Sequence, residues 1–159
     1  VIRLKTGALL AASAAAGAIV GGGSTGEISA TYKFAEKLGM AYQVYDDMLD
    51  VMGEPVKIGK PIFADVRNRK RNYLLIHALN HASEEDLKFL KSLLGKPAIS
   101  DWEIRKAREI FKRTGSVEAA LNLSLKLSEE GRKALEPLKP SQAKDQLIRL
   151  SYVVSKRYA

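Results

Sequence analysis

The chain has 159 residues, 46% of them hydrophobic, which is enough for one folded domain and is not typical of a disordered protein. It contains no cysteine, which excludes a disulfide framework, a cysteine zinc site and a thiol nucleophile, and favours a reducing, cytoplasmic location. The net charge of +8 favours an anionic partner, and nucleic acid, a membrane surface and a phosphorylated small molecule all meet that condition.

The first patterned segment, Gly7 to Gly23, carries no charge over 17 residues and consists mostly of Ala and Gly. It barely reaches the length that a bilayer core demands, and its small residues favour close packing against other helices. We therefore predict a buried helix of a helical bundle and no transmembrane segment.

A second, long helix is predicted from about Gly26 to Val51, with Ser24 or Thr25 as its N-cap and Glu27 in its first turn. The acidic residue suits the positive end of the helix dipole.

Amphipathic patterning continues through the rest of the chain, after a loop that the glycines and prolines of residues 53–61 predict. Helical periodicity resumes near Asn72 and again after Ser83, which precedes three acidic residues. Three further helices are predicted, at 100–113, 116–135 and 141–157. No segment shows the alternation of a strand, so the predicted fold class is all-α.

The stretch YQVYDDMLDV, residues 42–51, places three carboxylates within five residues of mostly apolar chain. At about 100° per residue, its polar side chains fall within an arc of about 100°, and they are Gln43, Asp46, Asp47 and Asp50. The remaining positions are apolar or aromatic, so we expect protein to surround this helix and the polar stripe to face a cavity.

Neighbouring carboxylates repel one another, and more strongly when they leave water, unless a cation lies between them. Mg²⁺ suits the stripe because it takes one or two carboxylates and completes its octahedron with water and phosphate oxygens. The pattern predicts a Mg²⁺ site for a phosphorylated ligand at Asp46, Asp47 and Asp50. The alternative is a solvated acidic face, against which the apolar surroundings argue.

Basic residues recur where an anion can be held. Lys5 precedes Thr6, the predicted N-cap of the first helix, and a helix N-terminus beside an ammonium group binds anions. Lys60 lies in the loop after the acidic helix, and Lys70 follows Asp65 by five residues.

These segments, KTGALLAASAAAGAIVGGGS, YQVYDDMLDV and GKPIFADVRNRKRN, together resemble the C-terminal half of the trans-type isoprenyl diphosphate synthases, which make geranyl, farnesyl and geranylgeranyl diphosphates. The resemblance covers at least residues 3–80, with Lys-Thr, Gln-x-x-Asp-Asp-x-x-Asp, Gly-Lys and Asp-x-x-x-x-Lys in the family's order and spacing. It implies an all-α bundle around a deep central cavity, of which residues 1–159 form the C-terminal part.

The resemblance also implies roles for the charged residues. The second aspartate-rich motif of the family corresponds to Asp46, Asp47 and Asp50, with Asp46 as the direct Mg²⁺ ligand and Asp65 as an outer partner. The residues that it places at the allylic diphosphate are Lys5, Thr6, Gln43, Lys60 and Lys70. The predicted catalytic residues are Asp46, Lys5 and Lys60.

The implied reaction joins an allylic diphosphate to isopentenyl diphosphate through an allylic carbocation, with Mg²⁺ as cofactor. In this reaction, Mg²⁺ and the lysines stabilise the negative charge of the departing diphosphate. The resemblance further implies a homodimer of the full-length enzyme.

The family's first aspartate-rich motif and its isopentenyl diphosphate site lie upstream of the matched region, and nothing in residues 1–159 replaces them. The chain is expected to hold half of a site and to be inactive alone. Both a fragment of an enzyme and a non-catalytic helical partner retaining a diphosphate half-site fit this pattern, and the complete set of lysines and carboxylates favours the fragment.

Arg67, Arg69, Lys70 and Arg71 form a basic cluster, which raises the alternative of nucleic-acid binding. No nucleic-acid motif accompanies the cluster, so no nucleic-acid partner is predicted. His77 and His81 lie four residues apart without a carboxylate or cysteine at helical spacing to complete a ligand set, so packing or surface roles are expected. Trp102 is expected in a core or an interface.

Overall fold

The computed structural model describes residues 1–54, 59 and 61–155 of the chain, with side chains described up to residue 152. Every regular element in these ranges is helical, so the all-α prediction is confirmed. The chain divides into two compact units, one formed by Val1–Gln43 with Leu123–Ala159 and the other by Val44–Asn122.

The first unit opens with a π-helical turn, Arg3–Gly7, that continues without interruption into α1 (Ala8–Val20). Helix α2 (Thr25–Met52) follows, and its N-cap is Ser24. The Ser24 hydroxyl accepts from the N–H of Glu27 at 3.3 Å, while the Glu27 carboxylate accepts from the N–H of Ser24 at 2.8 Å. This reciprocal capping box confirms the predicted start of the helix.

Six further helices follow in the described residues, and all except the first begin close to where the sequence predicts them. They are α3 (Ala64–Arg67), α4 (Tyr73–His81), α5 (Glu84–Leu93), α6 (Asp101–Arg113), α7 (Ser116–Ala134) and α8 (Gln142–Ser155). Side chains of Asn72, Ser83 and Ser100 cap α4, α5 and α6. The four-residue helix α3 was not predicted, and the predicted loop at 53–61 lies partly outside the described residues.

The core of the first unit joins α2 to α7 and α8. Phe34, Ala35 and Leu38 of α2 pack with Leu135, and half-buried residues of α8, Leu147 among them, cover this cluster. The buried Ser124 hydroxyl donates to the Ala41 carbonyl at 3.0 Å.

In the second unit, α4 packs against α6. Fully buried side chains include Leu74 of α4, Leu90 of α5, and Ile110 and Phe111 of α6. Trp102, by contrast, is 57% exposed and packs edge-on against Phe89, so its core placement is wrong while an interface role is untested.

The prediction that the Gly7–Gly23 segment is buried is also wrong for this chain. Only 11% of the residues between Arg3 and Val20 are buried, and Leu9 and Ile19 are 72% and 59% exposed. The reason is that α1 contacts its unit through a narrow stripe of small residues, which leaves its large side chains outside the contact.

Within the described residues, this same segment, Arg3–Val20, is the one helix long and apolar enough to cross a membrane by length and composition. Core helices and N-terminal signal sequences satisfy the same criterion, so it is weak evidence for a membrane span.

The close contact between α1 and α2 depends on Gly7 and Gly39, and a substitution at Gly39 tests it. A Cβ atom on Gly39 would lie 2.8 Å from the Cα of Gly7 and 2.9 Å from the Cδ1 of Leu10, whereas one on Gly17 would meet nothing within 4 Å. We predict that Gly39→Ala destabilises the protein, because a steric cost of about 1–3 kcal/mol exceeds the gain of about 1 kcal/mol in helix propensity.

The matched control is Gly17→Ala, which gains the same propensity without the clash and is expected to stabilise the protein by up to about 1 kcal/mol. Urea unfolding followed by circular dichroism measures both free energies. Equal stabilisation by the two substitutions would show that α1 and α2 do not approach closely at Gly39.

Candidate functional site

The carboxylate-bearing end of α2 is enclosed by protein, as its apolar neighbours predict. No residue from 41 to 52 is exposed, and Gln43, Asp47 and Asp50 retain only 7%, 4% and 4% of their accessible surface. Asp46 is half-buried. Since a buried carboxylate is costly without hydrogen-bond or charge partners, the contacts of these groups determine what they can do.

The Asp50 carboxylate binds backbone N–H groups at the start of α3. Its Oδ1 accepts from the N–H of Ala64 at 3.1 Å and its Oδ2 from the N–H of Asp65 at 3.0 Å, while its carbonyl accepts from the N–H of Phe63 at 2.7 Å. Three successive N–H groups thus bind one residue. An acidic group at a helix N-terminus is also favoured by the dipole, although α3 has a single turn.

This arrangement holds Phe63 in a conformation unusual for its type. Phe63 has φ 58° and ψ 20°, in the left-handed region that costs a non-glycine residue about 1–2 kcal/mol. Its side chain is completely buried, and its N–H is bound to Asp50. Burial and the three hydrogen bonds offset the strain and fix the path from the described part of the loop into α3.

Arg108 of α6 secures the C-terminal end of α2. Its Nε donates to the Val51 carbonyl at 2.8 Å and its Nη2 to the Gly53 carbonyl at 2.6 Å. These carbonyls lack partners within the helix, and a cation at a helix C-terminus is electrostatically favourable. The last turn of α2, which carries Asp50, is therefore held from both sides by residues of the second unit.

Asp65, the residue after Ala64, orients Lys70. Lys70 Nζ donates to Asp65 Oδ1 at 2.6 Å, and Asn72 Nδ2 donates to Asp65 Oδ2 at 3.3 Å. The hydrogen bond to Asp65 raises the pKa of Lys70, and the charges of Asp65, Asp50 and Asp47 raise it further. Lys70 is half-exposed and remains cationic, so its ammonium group has donors left for an anion.

The first unit contains three of the predicted ligand-binding residues, Lys5, Thr6 and Gln43. The Thr6 hydroxyl donates to Gln43 Oε1 at 2.7 Å, which joins the start of α1 to α2. Lys5 and Thr6 also line an apolar cavity of about 400 Å³, whose walls include Leu9, Leu10 and Tyr42.

The prediction that Thr6 caps the first helix is wrong. The helical backbone begins at Arg3, and neither flanking position has a side-chain cap. Thr6 is therefore inside a helical turn, and its hydroxyl serves Gln43. Lys5 lies in the same first turn, where its own N–H donates to the Val1 carbonyl at 3.0 Å.

Lys60 lies outside the described residues. Among the residues that are described, no group of three or more His, Asp or Glu side chains is arranged to hold a metal ion. Mg²⁺ does not need such a group, because it typically uses one or two carboxylates with water and phosphate oxygens. Both Asp50 oxygens are bound to N–H groups and Asp46 is half-buried, and the assignment of Asp46 as the direct metal ligand stays a prediction.

Three residues of this region, Asp50, Arg108 and Asn72, make hydrogen bonds that were not predicted from the sequence. The partners of Asp50 lie 14 and 15 residues away, and those of Arg108 lie 57 and 55 residues away. Asn72 acts both as the cap of α4, accepting from the N–H of Leu75 at 2.9 Å, and as a donor to Asp65. Only the cap had a local signal, since Asn before an apolar run is typical of a helix start.

The histidine pair is a packing feature. The rings of His77 and His81 stack with centroids 4.0 Å apart, and His77 Nδ1 lies 3.0 Å from the Ser116 hydroxyl. Burial lowers the pKa of His77, and the neighbouring His81 lowers it further. The ring stacking and the contact with Ser116 agree with the expected packing role of the pair.

The Asp50 cap generates a stability prediction. Asp50→Ala leaves two N–H groups without acceptors, and each buried orphan costs about 1–3 kcal/mol, so we expect a total loss of about 2–5 kcal/mol. Urea unfolding measures it. The matched control is Asp101→Ala, an exposed carboxylate in the first turn of α6, for which a loss of at most about 1 kcal/mol is expected. Equal effects of the two substitutions would contradict the structural role of Asp50.

Residues 1–111 match the model of the polyprenyl synthetase family. The chain is 37% identical over 156 residues to a short chain isoprenyl diphosphate synthase of Methanothermobacter thermautotrophicus, covering 98% of this chain and 47% of that protein.

Two solved structures have the same arrangement of helices. Geranylgeranyl pyrophosphate synthetase from Pyrococcus horikoshii Ot3 matches with a TM-score of 0.88 at 30% identity, over 99% of this chain and 47% of that one. Geranylgeranyl pyrophosphate synthase from Corynebacterium glutamicum, complexed with isoprenyl diphosphate and magnesium, matches with a TM-score of 0.82 at 32% identity, over 89% and 41%.

The chain thus spans about half the length of the curated relatives that it matches. The family model covers 111 of its 159 residues. On this evidence the chain belongs to the polyprenyl synthetase family and has the all-α fold of the isoprenyl diphosphate synthases.

Proposed function

We propose that this chain supplies the second half of a Mg²⁺-dependent prenyltransferase that condenses an allylic diphosphate with isopentenyl diphosphate. The observation that carries the proposal is the connected set of Asp50, Asp65 and Lys70, which presents a fixed ammonium group in the same unit as Asp46 and Asp47. Carboxylates for a hard cation together with a lysine for phosphate oxygens are the groups that diphosphate departure requires.

In the proposed reaction, the bond between the allylic carbon and the diphosphate oxygen breaks, and the diphosphate leaves with the electron pair. The double bond of isopentenyl diphosphate attacks the allylic cation, a new carbon–carbon bond forms, and the resulting cation loses a proton. Mg²⁺, when bound, neutralises charge on the diphosphate as it departs. Asp46 is assigned to hold that ion.

The residues of the chain have distinct parts in this scheme. Lys70, kept cationic and oriented by Asp65, donates to the phosphate oxygens. The role of Lys5 at the diphosphate stays a prediction, and within the first unit the Thr6–Gln43 hydrogen bond orients the start of α1 beside the apolar cavity. Apolar walls of this kind exclude water, which would otherwise capture the cation.

Two relatives support the proposed substrate class and metal. The Corynebacterium glutamicum structure holds isoprenyl diphosphate and magnesium. The Methanothermobacter thermautotrophicus protein is a short chain isoprenyl diphosphate synthase. The homodimer, the cytoplasmic location and the role of Lys60 stay predictions.

The activity is tested in a chimera in which this chain replaces the matching half of the Methanothermobacter thermautotrophicus relative. We predict that the chimera incorporates radiolabelled isopentenyl diphosphate into longer products, whereas the chain alone does not, because half of the site cannot position both substrates. Asp46→Ala in the chimera is expected to lower the rate by about a hundredfold or more, since it removes the assigned metal ligand.

The control variant of the chimera is Asp101→Ala, which removes an exposed carboxylate and is expected to keep the parent rate. Circular dichroism establishes that each variant is folded. Turnover by the chain alone would refute the half-site, and an Asp46→Ala chimera as active as the parent would refute the metal assignment.

A further inference from the structure

A cavity with a charged lining lies in the second unit, along α4 and α5. It is half-open and has a volume of about 690 Å³, within the range of roughly 300–1,000 Å³ typical of small-molecule sites. Three cationic side chains line it, those of Arg69, Arg71 and Lys91. None of the residues proposed to bind metal or diphosphate is among its lining residues.

None of these three cations forms an ion pair with another described residue. Among the described residues, the ion pairs of the second unit involve Lys70, Lys96, Lys106 and Arg113, and none involves Arg69, Arg71 or Lys91. Like charges around one space repel each other, so the cavity is electrostatically suited to an anion.

Arg69 is held in place by the backbone. It has φ 54°, and its guanidinium lies against Gly95, where a Cβ atom would be only 2.2 Å from Arg69 Nε. Gly95 itself has φ 79°, and its N–H donates to the Val66 carbonyl at 3.1 Å. The glycine at position 95 thus leaves room for the guanidinium of this exposed arginine beside the cavity.

The basic cluster of the sequence is divided by the fold. Lys70 pairs with Asp65, whereas its neighbours Arg69 and Arg71 line the cavity. Residues 70–72 lie between α3 and α4 and are not helical. The cluster is thus not one continuous basic surface of the kind that tracks a nucleic-acid backbone.

The rest of the cavity lining is mostly apolar. Leu75 is buried, Leu79 and Leu94 are half-buried, and Ile76 is 43% exposed. Inorganic phosphate would satisfy the cations and leave these side chains in water. A ligand that combines an anionic group with a hydrocarbon chain matches both parts of the lining.

We propose that this cavity binds a small amphiphilic anion, a phosphate or diphosphate ester of a short hydrocarbon chain, with Arg69, Arg71 and Lys91 on the phosphate and Leu75, Ile76 and Leu79 on the chain. The site is distinct from the proposed metal-dependent one. It does not need Mg²⁺, because its lining supplies cations and contains no carboxylate.

The test is calorimetric titration of the full chain with n-decyl phosphate in EDTA, so that any metal-dependent site is silent. Arg71→Gln and Lys91→Gln are each expected to weaken binding by about tenfold, because each removes a charge-assisted hydrogen bond. Both residues are exposed, and circular dichroism checks their folding. The matched control is Lys88→Gln, an exposed lysine of α5 outside the lining, which is expected to leave the affinity within about twofold.

The apolar part is tested with Ile76→Asn, which is expected to weaken n-decyl phosphate binding severalfold while leaving any weak binding of inorganic phosphate unchanged. Equal affinity of the parent, Arg71→Gln and Lys91→Gln proteins would overturn the proposal. So would binding that requires Mg²⁺ and is lost in Asp46→Ala, because that result assigns the ligand to the other site.

Discussion

The Asp50 carboxylate, bound by the N–H groups of Ala64 and Asp65, is the contact on which the arrangement of the second unit depends. It joins the end of α2 to the start of α3 and, through Asp65, to Lys70. A carboxylate with 4% of its surface exposed is tolerated because charge-assisted hydrogen bonds replace its water. The cap also helps to hold Phe63 in its left-handed conformation and positions Asp65, which binds Lys70.

This contact also distinguishes three carboxylates that look equivalent in the sequence, because their burial differs and Asp50 caps α3. Asp50 is used by the fold, Asp47 is equally buried, and Asp46 is half-buried. A Mg²⁺ site that relies on one or two protein carboxylates and on substrate oxygens is compatible with this division. The hydrogen bond to Asp65 and the charges of Asp65, Asp50 and Asp47 raise the pKa of Lys70, so carboxylates that stabilise the fold also act on the lysine proposed to bind the diphosphate.

The sequence predicted what depends on local pattern. Ser24 with Glu27 marks the start of α2, and the apolar neighbours of the acidic stripe indicate its enclosure by protein. Contacts between residues that are distant in the chain could not be predicted from this pattern. Periodicity describes one helix at a time, so it assigned Thr6 to a cap although its partner Gln43 is 37 residues away. It likewise could not tell how little of α1 is covered within this chain, because an apolar composition does not identify what packs against it.

The central claim, that Asp50 builds the fold while Asp46 holds the metal, is tested most directly by a crystal structure of the chain grown with Mn²⁺ and pyrophosphate. Anomalous scattering locates Mn²⁺ independently of the protein. The account predicts a peak at coordinating distance from the Asp46 carboxylate, with Asp50 still bound to the N–H groups of Ala64 and Asp65. A Mn²⁺ ion coordinated by Asp50 with those hydrogen bonds broken, or pyrophosphate bound without any ion at Asp46, would contradict it.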